Sequence, residues 1–522
     1  MALARRATLR TAVILPVIAA AVAAATPAAA TPAAARAAAP ATAPPAPTVA
    51  WGSCGADAPA PFECGTLTVP LDHRRPGGPT IGIAVIRRVA PDPAARIGSL
   101  VLNPGGPGGS GIDYTAAVYD RLPAELRSRF DIVSFDPRGV ARSSGIECWD
   151  RAQYDAAFAS TQVDGPDRDR FGETVTRARR LVQACVREAG RLLPYVGTGY
   201  VARDLDLLRQ AVGDQKLTFL GLSYGTFLGT VYADLFPHRV RALVLDGVLD
   251  AGTHARKPYE EDRRQSAALD GALDRFLAWC SANPAACGFG AGDAAGALDR
   301  LVRELDDNPR TVPTAEGPGT TNAAWLLFTV SLALNGGRPA WPALGRDLQA
   351  VQDGQLPPSA QPLPSFAAQF FSQNTVVDCV DRNYPLGLGR LSRALARNAA
   401  AGGRFGWTFA YGPPAYDNSH GSACAQWPWW AGKAAPSRHR GDFRAQGAPP
   451  VLLVGVTGDP DVPYQDAVDL ARRLDRAWLV TLVGEGHTAF RRSACATEQT
   501  VRYLVHRTRP QVTVCTDDRP PG

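Results

Sequence analysis

The sequence predicts an α/β fold: a mostly parallel central sheet with an inserted helical cap domain. Three observations predict it. Apolar, strand-forming runs alternate with helical patterns from about residue 99 to 250, and again from about 450 to 507. Between them, from about 255 to 440, helical patterns follow one another across Pro- and Gly-rich joints. Strand–helix alternation is the mark of parallel strands joined by right-handed crossovers. Third, Gly221-Leu-Ser-Tyr-Gly225 sits between the apolar run Leu217–Leu220 and a helical pattern from Phe227 to Phe236. That is a strand–turn–helix elbow, with glycines where a Cβ would clash.

Taken in order, the chain begins with an export signal. Arg5, Arg6 and Arg10 precede the apolar run Thr11–Ala25, and Ala-rich sites near Ala30 suit a signal peptidase. The run is shorter than the roughly 20 residues of a spanning helix, so cleavage is favoured over a membrane anchor. Residues 1–30 are thus read as a signal peptide and 31–49 as an Ala/Pro-rich linker. Residues 50–250 are read as the first part of the core, 251–445 as the helical cap and 446–522 as the rest of the core. Within the core, residues 62–90 read as a β-hairpin around His73-Arg-Arg-Pro-Gly-Gly78. Ser99–Asn103 is a buried strand leading into Pro104-Gly-Gly-Pro-Gly-Gly109. Phe130–Phe135 is another, ending in Asp136-Pro-Arg-Gly139. Helices are expected at about 168–189 and 202–212, and a strand at Val240–Asp246. The cap reads as helices at Tyr259–Cys280, Asp293–Leu305, Asn322–Asn335, Trp341–Gln352 and Ser365–Ala400, without strands. Val451–Gly455, a helix at about 464–474, a last strand Ala477–Val483 and a terminal helix at about 495–507 complete the order.

Composition narrows the function classes. The 522 residues carry 55 basic and 49 acidic groups, a net charge of +6 that falls to about +3 without the signal. The basic residues are scattered, so neither a nucleic-acid stripe nor a membrane patch is indicated. Ten cysteines in an exported chain predict disulfides. The simplest pairing is between neighbours: Cys54 with Cys64, Cys148 with Cys185, Cys280 with Cys287, Cys379 with Cys424, and Cys495 with Cys515. No two cysteines have C-x-x-C spacing, so no zinc site is expected, and no cofactor is implied. A monomer is the favoured state.

The candidate chemistry lies at strand ends. Ser223 is in the elbow, Asp459 follows one strand and His487 follows the next. The order Ser, Asp, His is that of α/β-hydrolases. A serine hydroxyl is barely ionised at neutral pH, so an imidazole must take its proton, and a carboxylate must orient the imidazole. Asp461 is the alternative acid; Asp459 is nearer the strand end and preferred. His487 is preferred over His73, His238, His254, His420, His439 and His506, which lie in turns, loops, polar stretches or the terminal helix. An oxyanion hole would take one N–H from Tyr224 and one from the glycine loop, with Gly106 the best candidate.

Five motifs in order carry a family likeness: Asn103-Pro-Gly-Gly-Pro-Gly-Gly-Ser-Gly111, Phe135-Asp-Pro-Arg-Gly139, Gly221–Gly225, Asp459-Pro-Asp-Val-Pro463 and Gly486-His487. Together they resemble the secreted tripeptidyl aminopeptidases of actinomycetes, α/β-hydrolases related to prolyl aminopeptidases. The likeness spans about residues 50–515, including a block at 415–515 similar to that family's C-terminal region. It implies a catalytic triad at Ser223, Asp459 and His487, and an oxyanion hole at Gly106 and Tyr224. It also implies release of short peptides from free N-termini. The acid loop departs from the family's frequent Asp-Pro-Val-Thr-Pro, which keeps Asp461 in contention.

An aminopeptidase must bind a protonated amine. Asp378 and Asp381, flanking Cys379, and Glu260 and Glu261 are the candidates. Glu260 and Glu261 read more readily as a solvated helix face. Trp427-Pro-Trp-Trp430 reads as core packing or a pocket lining. An esterase using the same triad on an uncharged substrate is the alternative function.

Overall fold

The computed structural model describes residues 47–163, 168–312, 319–355, 365–414 and 419–517. The expected signal peptide, and the linker save its last three residues, lie outside them.

Ten strands form one sheet: β1 (Gly52–Ser53), β2 (Glu63–Pro70), β3 (Thr80–Arg88), β4 (Gly98–Asn103), β5 (Phe130–Phe135), β6 (Leu217–Leu222), β7 (Val240–Asp246), β10 (Val451–Gly458), β11 (Ala477–Glu485) and β12 (Val514–Thr516). Two more, β8 (Arg310–Val312) and β9 (Gly319–Thr321), pair apart from it. The sheet runs in the order β1-β2-β3-β5-β4-β6-β7-β10-β11-β12. Its first three pairings are antiparallel and the rest parallel. Strands β4 and β5 are buried along their whole length. Parallel strands covered on both faces need no polar alternation, which is why Leu100-Val-Leu102 and Ile132-Val133 stand as unbroken apolar runs. Two apolar clusters cover the two faces. Phe219, Phe227 and Leu245 belong to one; Leu220, Val244 and Val454 belong to the other.

A third cluster forms the helical layer. Residues 146–196 pack with residues 259–435 rather than with the sheet alone. The ring of Phe158 lies 4.7 Å from that of Trp325, and Tyr154 lies 5.3 Å from Phe371. Helical segments after β5 and after β7 thus share one packed layer. Three corrections follow. The helix expected over Ser365–Ala400 is two helices, Ser365–Asp381 and Leu388–Ala401. Pro385 lies in the break between them, where it cannot continue the hydrogen-bond ladder. The insertion holds the β8–β9 pair, and β12, not β11, is the outermost strand.

Five disulfides join neighbours along the chain: Cys54–Cys64, Cys148–Cys185, Cys280–Cys287, Cys379–Cys424 and Cys495–Cys515. Strand register then sets the site. Asn103 pairs with Gly221, Leu222 with Asp246, and Gly458 with Glu485. The loops that leave β4, β6, β10 and β11 therefore open along one edge of the sheet, the carboxyl edge where such sheets bind ligands.

Candidate active site

Ser223 is held at φ 55° and ψ −128°, between the end of β6 and the helix Tyr224–Leu235. This is a costly conformation for a residue with a Cβ. It persists because both sides are fixed. The Ser223 N–H donates to the Asp246 carbonyl at 2.9 Å, and the Ser223 carbonyl accepts from the Thr226 N–H at 2.8 Å. Gly221 and Gly225 cross so closely that a Cβ on Gly221 would overlap the Gly225 carbonyl.

His487 comes to the turn after β7, next to Asp246, whose carbonyl accepts the Ser223 N–H. A Cβ on Gly247 would stand 3.0 Å from His487 Cε1. His487 Nδ1 lies 2.9 Å from Asp459 Oδ2 and 3.0 Å from Oδ1. Asp459 is held in turn by the N–H groups of Asp461 and Val462, each 2.9 Å from Oδ1. Asp461 points elsewhere: its Oδ2 accepts from Asn335 Nδ2 at 2.6 Å. Of the two acids in this loop, Asp459 is the one bonded to the imidazole. Burial opposes a charge on His487. Asp459, with Asp461 and Asp246 behind it, more than offsets that and raises its pKa to about 9. His487 Nε2 is buried with no partner among the described residues. In its neutral form, an imidazole so fixed at Nδ1 can take a proton at Nε2.

Asp246 was not singled out in the sequence. It accepts from the Ala489 N–H at 2.9 Å and the Phe490 N–H at 2.6 Å, so it shapes the loop after His487. Burial pushes its pKa up to about 6, against the pull of those two amides.

The glycine loop lies beside the elbow. A Cβ on Gly105 would stand 2.9 Å from Ser223 Cβ and 3.0 Å from the Tyr224 nitrogen. Gly105, which the sequence did not single out, is thus the closest approach. Gly106 follows it at φ 112°. Tyr224, first in its helix, has an amide without an intrahelical partner. The helix Ser365–Asp381 lies across this loop. A Cβ on Gly106 would meet Phe370 at 3.1 Å, and one on Gly108 would meet Gln373 at 3.0 Å and Asn374 at 3.1 Å. Gly106 and Gly108 are what let this helix press on the loop.

The four amine candidates do not share one place. Glu260 bonds Arg264 at 2.8 Å and Lys257 at 3.2 Å on the surface. Glu261 is 1% exposed, which corrects its reading as part of a solvated face. It lies 2.9 Å from His254 Nδ1 and 3.1 Å from Arg382, a fully buried guanidinium that also holds Asp262 and Asp378. The helix Pro258–Ala282 places Glu261 and Asp262 on the face that buries Leu269, Leu273 and Phe276. That periodicity was the available signal. Burial raises the pKa of Asp378, against Arg382, and its Oδ1 has no partner among the described residues. Asp381 accepts from the Thr198 N–H at 2.9 Å, and the Thr198 hydroxyl also bonds the Tyr224 hydroxyl. The tryptophan cluster splits: Trp427 is buried, while Trp429 and Trp430 face solvent.

The other motifs and histidines have structural places. Arg138 is fully buried and forms a fork with Asp204 at 2.6 and 2.7 Å. Asp136 accepts from Ser110 Oγ at 2.6 Å, joining β5 to the helix after the glycine loop. His73 bonds Asp204, His439 bonds Asp234, and His420 sits buried beside Asn374 with its pKa pushed down to about 3 by burial.

Comparison with known proteins agrees with this geometry. Residues 98–305 match the alpha/beta hydrolase fold family, and residues 412–515 match the TAP-like protein family. The chain is 34% identical to serine protease Hip1 of Mycobacterium tuberculosis, over 88% of this chain and 89% of that protein. It is 30% identical to the tripeptidyl aminopeptidase of Streptomyces lividans, over 83% of this chain and 79% of that protein. It is also 34% identical to carboxylesterase B of Mycobacterium tuberculosis, over 89% of each. An elbow serine, a glycine loop beside it, an acid–imidazole pair on the next loops and these similarities converge: the chain belongs to the tripeptidyl aminopeptidase family of α/β-hydrolase enzymes.

Proposed function

We propose that this protein is a secreted serine exopeptidase that releases short peptides, tripeptides first among them, from free N-termini through an acyl-enzyme on Ser223. The observation that carries the proposal is the bond from His487 Nδ1 to Asp459 beside the strained elbow. In this reading His487 Nε2 takes the Ser223 proton as Oγ attacks the scissile carbonyl. The oxyanion is met by the amides of Tyr224 and the Gly105–Gly106 loop. His487 then gives the proton to the leaving amine, and water repeats the sequence to free the peptide.

The free-amine preference rests on the buried carboxylates inside the cap. Glu261, Asp262 and Asp378 surround Arg382 and His254, and Asp378 Oδ1 is left over. An acid-rich cluster with an unused oxygen suits an ammonium group. Five disulfides suit an oxidising compartment outside the cytosol. In this reading the fold runs from 50 to 522, with the cap supplied by 146–196 and 251–445.

An esterase is the second reading, favoured by the likeness to carboxylesterase B. A panel of free-amine tripeptide, N-blocked tripeptide and short acyl ester substrates separates the two. Cleavage of the free-amine tripeptide alone supports the proposal. Turnover confined to esters or blocked peptides would sink it.

A further inference from the structure

One arginine outside the acid–imidazole pair has a built seat. Arg492 Nη1 donates to the Asn335 carbonyl at 2.7 Å and to the His487 carbonyl at 2.9 Å. Its Nη2 donates to the carbonyls of Gly336 and Glu485, each at 2.9 Å. Two of these acceptors belong to the His487 loop. The other two stand just past the end of the cap helix Ala323–Leu334, whose final carbonyls carry the negative end of the helix dipole. The seat exists because two residues lack a side chain. Gly337 has φ 65° and Gly486 has φ 97°, and a Cβ on either would run into Arg492 Nη2.

The same cap end touches His487 and reaches Asp459 through Asp461. The His487 N–H donates to the Asn335 carbonyl at 3.1 Å. The Asn335 amide holds Asp461, whose own N–H bonds Asp459. A second strut runs alongside, from Arg275 of the cap to Glu485 at 2.6 and 2.9 Å.

We infer that Arg492 is a positioning residue: it fixes the His487 loop against the cap, so that the Asp459–His487 geometry depends on the cap being docked. A planar guanidinium with four carbonyl acceptors sets the relative place of two segments, which a flexible ammonium does not do. The inference rests on His487 being the base for Ser223.

The test is the rate at which a small fluorophosphonate inactivates the full-length protein, measured against pH, with melting temperature alongside. This probe reads Ser223 and His487 without regard to the natural substrate. Arg492→Ala should lower the rate constant about tenfold to a hundredfold, the scale of a misplacement near 1 Å. It should also move the pH midpoint downward, because a loosened Asp459 contact lets the imidazole return toward its ordinary value. A fold-only role would lower the melting temperature and leave the midpoint in place. Arg492→Lys, which keeps the charge and supports folding, should show the same downward shift in smaller degree. Gly337→Ala should shift it as well, from the cap side. An unmoved midpoint in Arg492→Ala, or in Arg492→Lys where the alanine variant does not fold, overturns the inference. An unmoved midpoint in Gly337→Ala overturns its cap part. A wild-type protein that the probe fails to label at Ser223 overturns the serine mechanism itself.

Discussion

Gly105 stands against Ser223 so closely that a Cβ on the one would lie 2.9 Å from the Cβ of the other. The glycine has φ 92°, so a side chain is barred by conformation as well as by space. Gly105→Ala should therefore push the glycine loop off the elbow and separate the two proposed oxyanion donors. Activity on any good substrate is expected to fall about 10²- to 10³-fold, the scale of one lost oxyanion donor. Steady-state kinetics beside a circular dichroism spectrum checks this; wild-type kcat in a folded variant would refute it.

Asp459 and Asp461 should separate cleanly. Asp459→Asn is expected to lower kcat by about 10⁴-fold, since an amide no longer stabilises the imidazolium or its tautomer. Asp461→Asn leaves the Asp459–His487 bond in place and should reduce kcat by less than about tenfold. Reversed effects would assign the acid to Asp461.

The pH profile follows from His487. A base must be neutral to accept a proton, and this imidazole loses its charge only near pH 9. The rate is expected to rise through the neutral range to a plateau above that value. Asp461→Asn removes a nearby negative charge, so the midpoint should move to lower pH. The sign for stability is opposite. A pKa raised above the ordinary 6.5 or so means the ion pair supports the fold fully below that pH and is lost as pH rises through about 9. Thermal melts of wild type and His487→Ala from pH 6 to 10 should therefore converge at the alkaline end.

Arg382 is fully buried amid Glu261, Asp262 and Asp378. Replacing it by Met leaves buried carboxylates without their cation. The expected loss is about 3–5 kcal/mol of stability at neutral pH. The loss should shrink as pH falls, because burial already holds Asp262 near 7 and a protonated acid needs no cation. Urea unfolding at two pH values checks it; an equal loss at both would contradict the account.

Much of the site was legible because it is local. Gly221–Gly225 states the elbow within five residues, and each candidate follows its strand directly, so strand ends and turn chemistry sufficed. What was missed depends on distant pairing. Nothing near Phe158 announces that it packs on Trp325, so residues 146–196 were read into the sheet layer. Strand β12 is three residues long and carries no pattern of its own. Asn335 and Arg492 are ordinary polar residues until the fold brings a helix end and a loop together. Glu261 was the avoidable miss, since its spacing from Leu269, Leu273 and Phe276 already put it inside.

Two of the disulfides fall at opposite margins of the sheet. Cys54–Cys64 ties β2 to the segment that follows β1, and Cys495–Cys515 ties β12 to the last helix. An open sheet unravels from its margins, and a bare margin invites pairing with another chain. Here each margin is hemmed by a covalent bond. The consequence is that opening of the sheet at either margin is held back by a covalent bond.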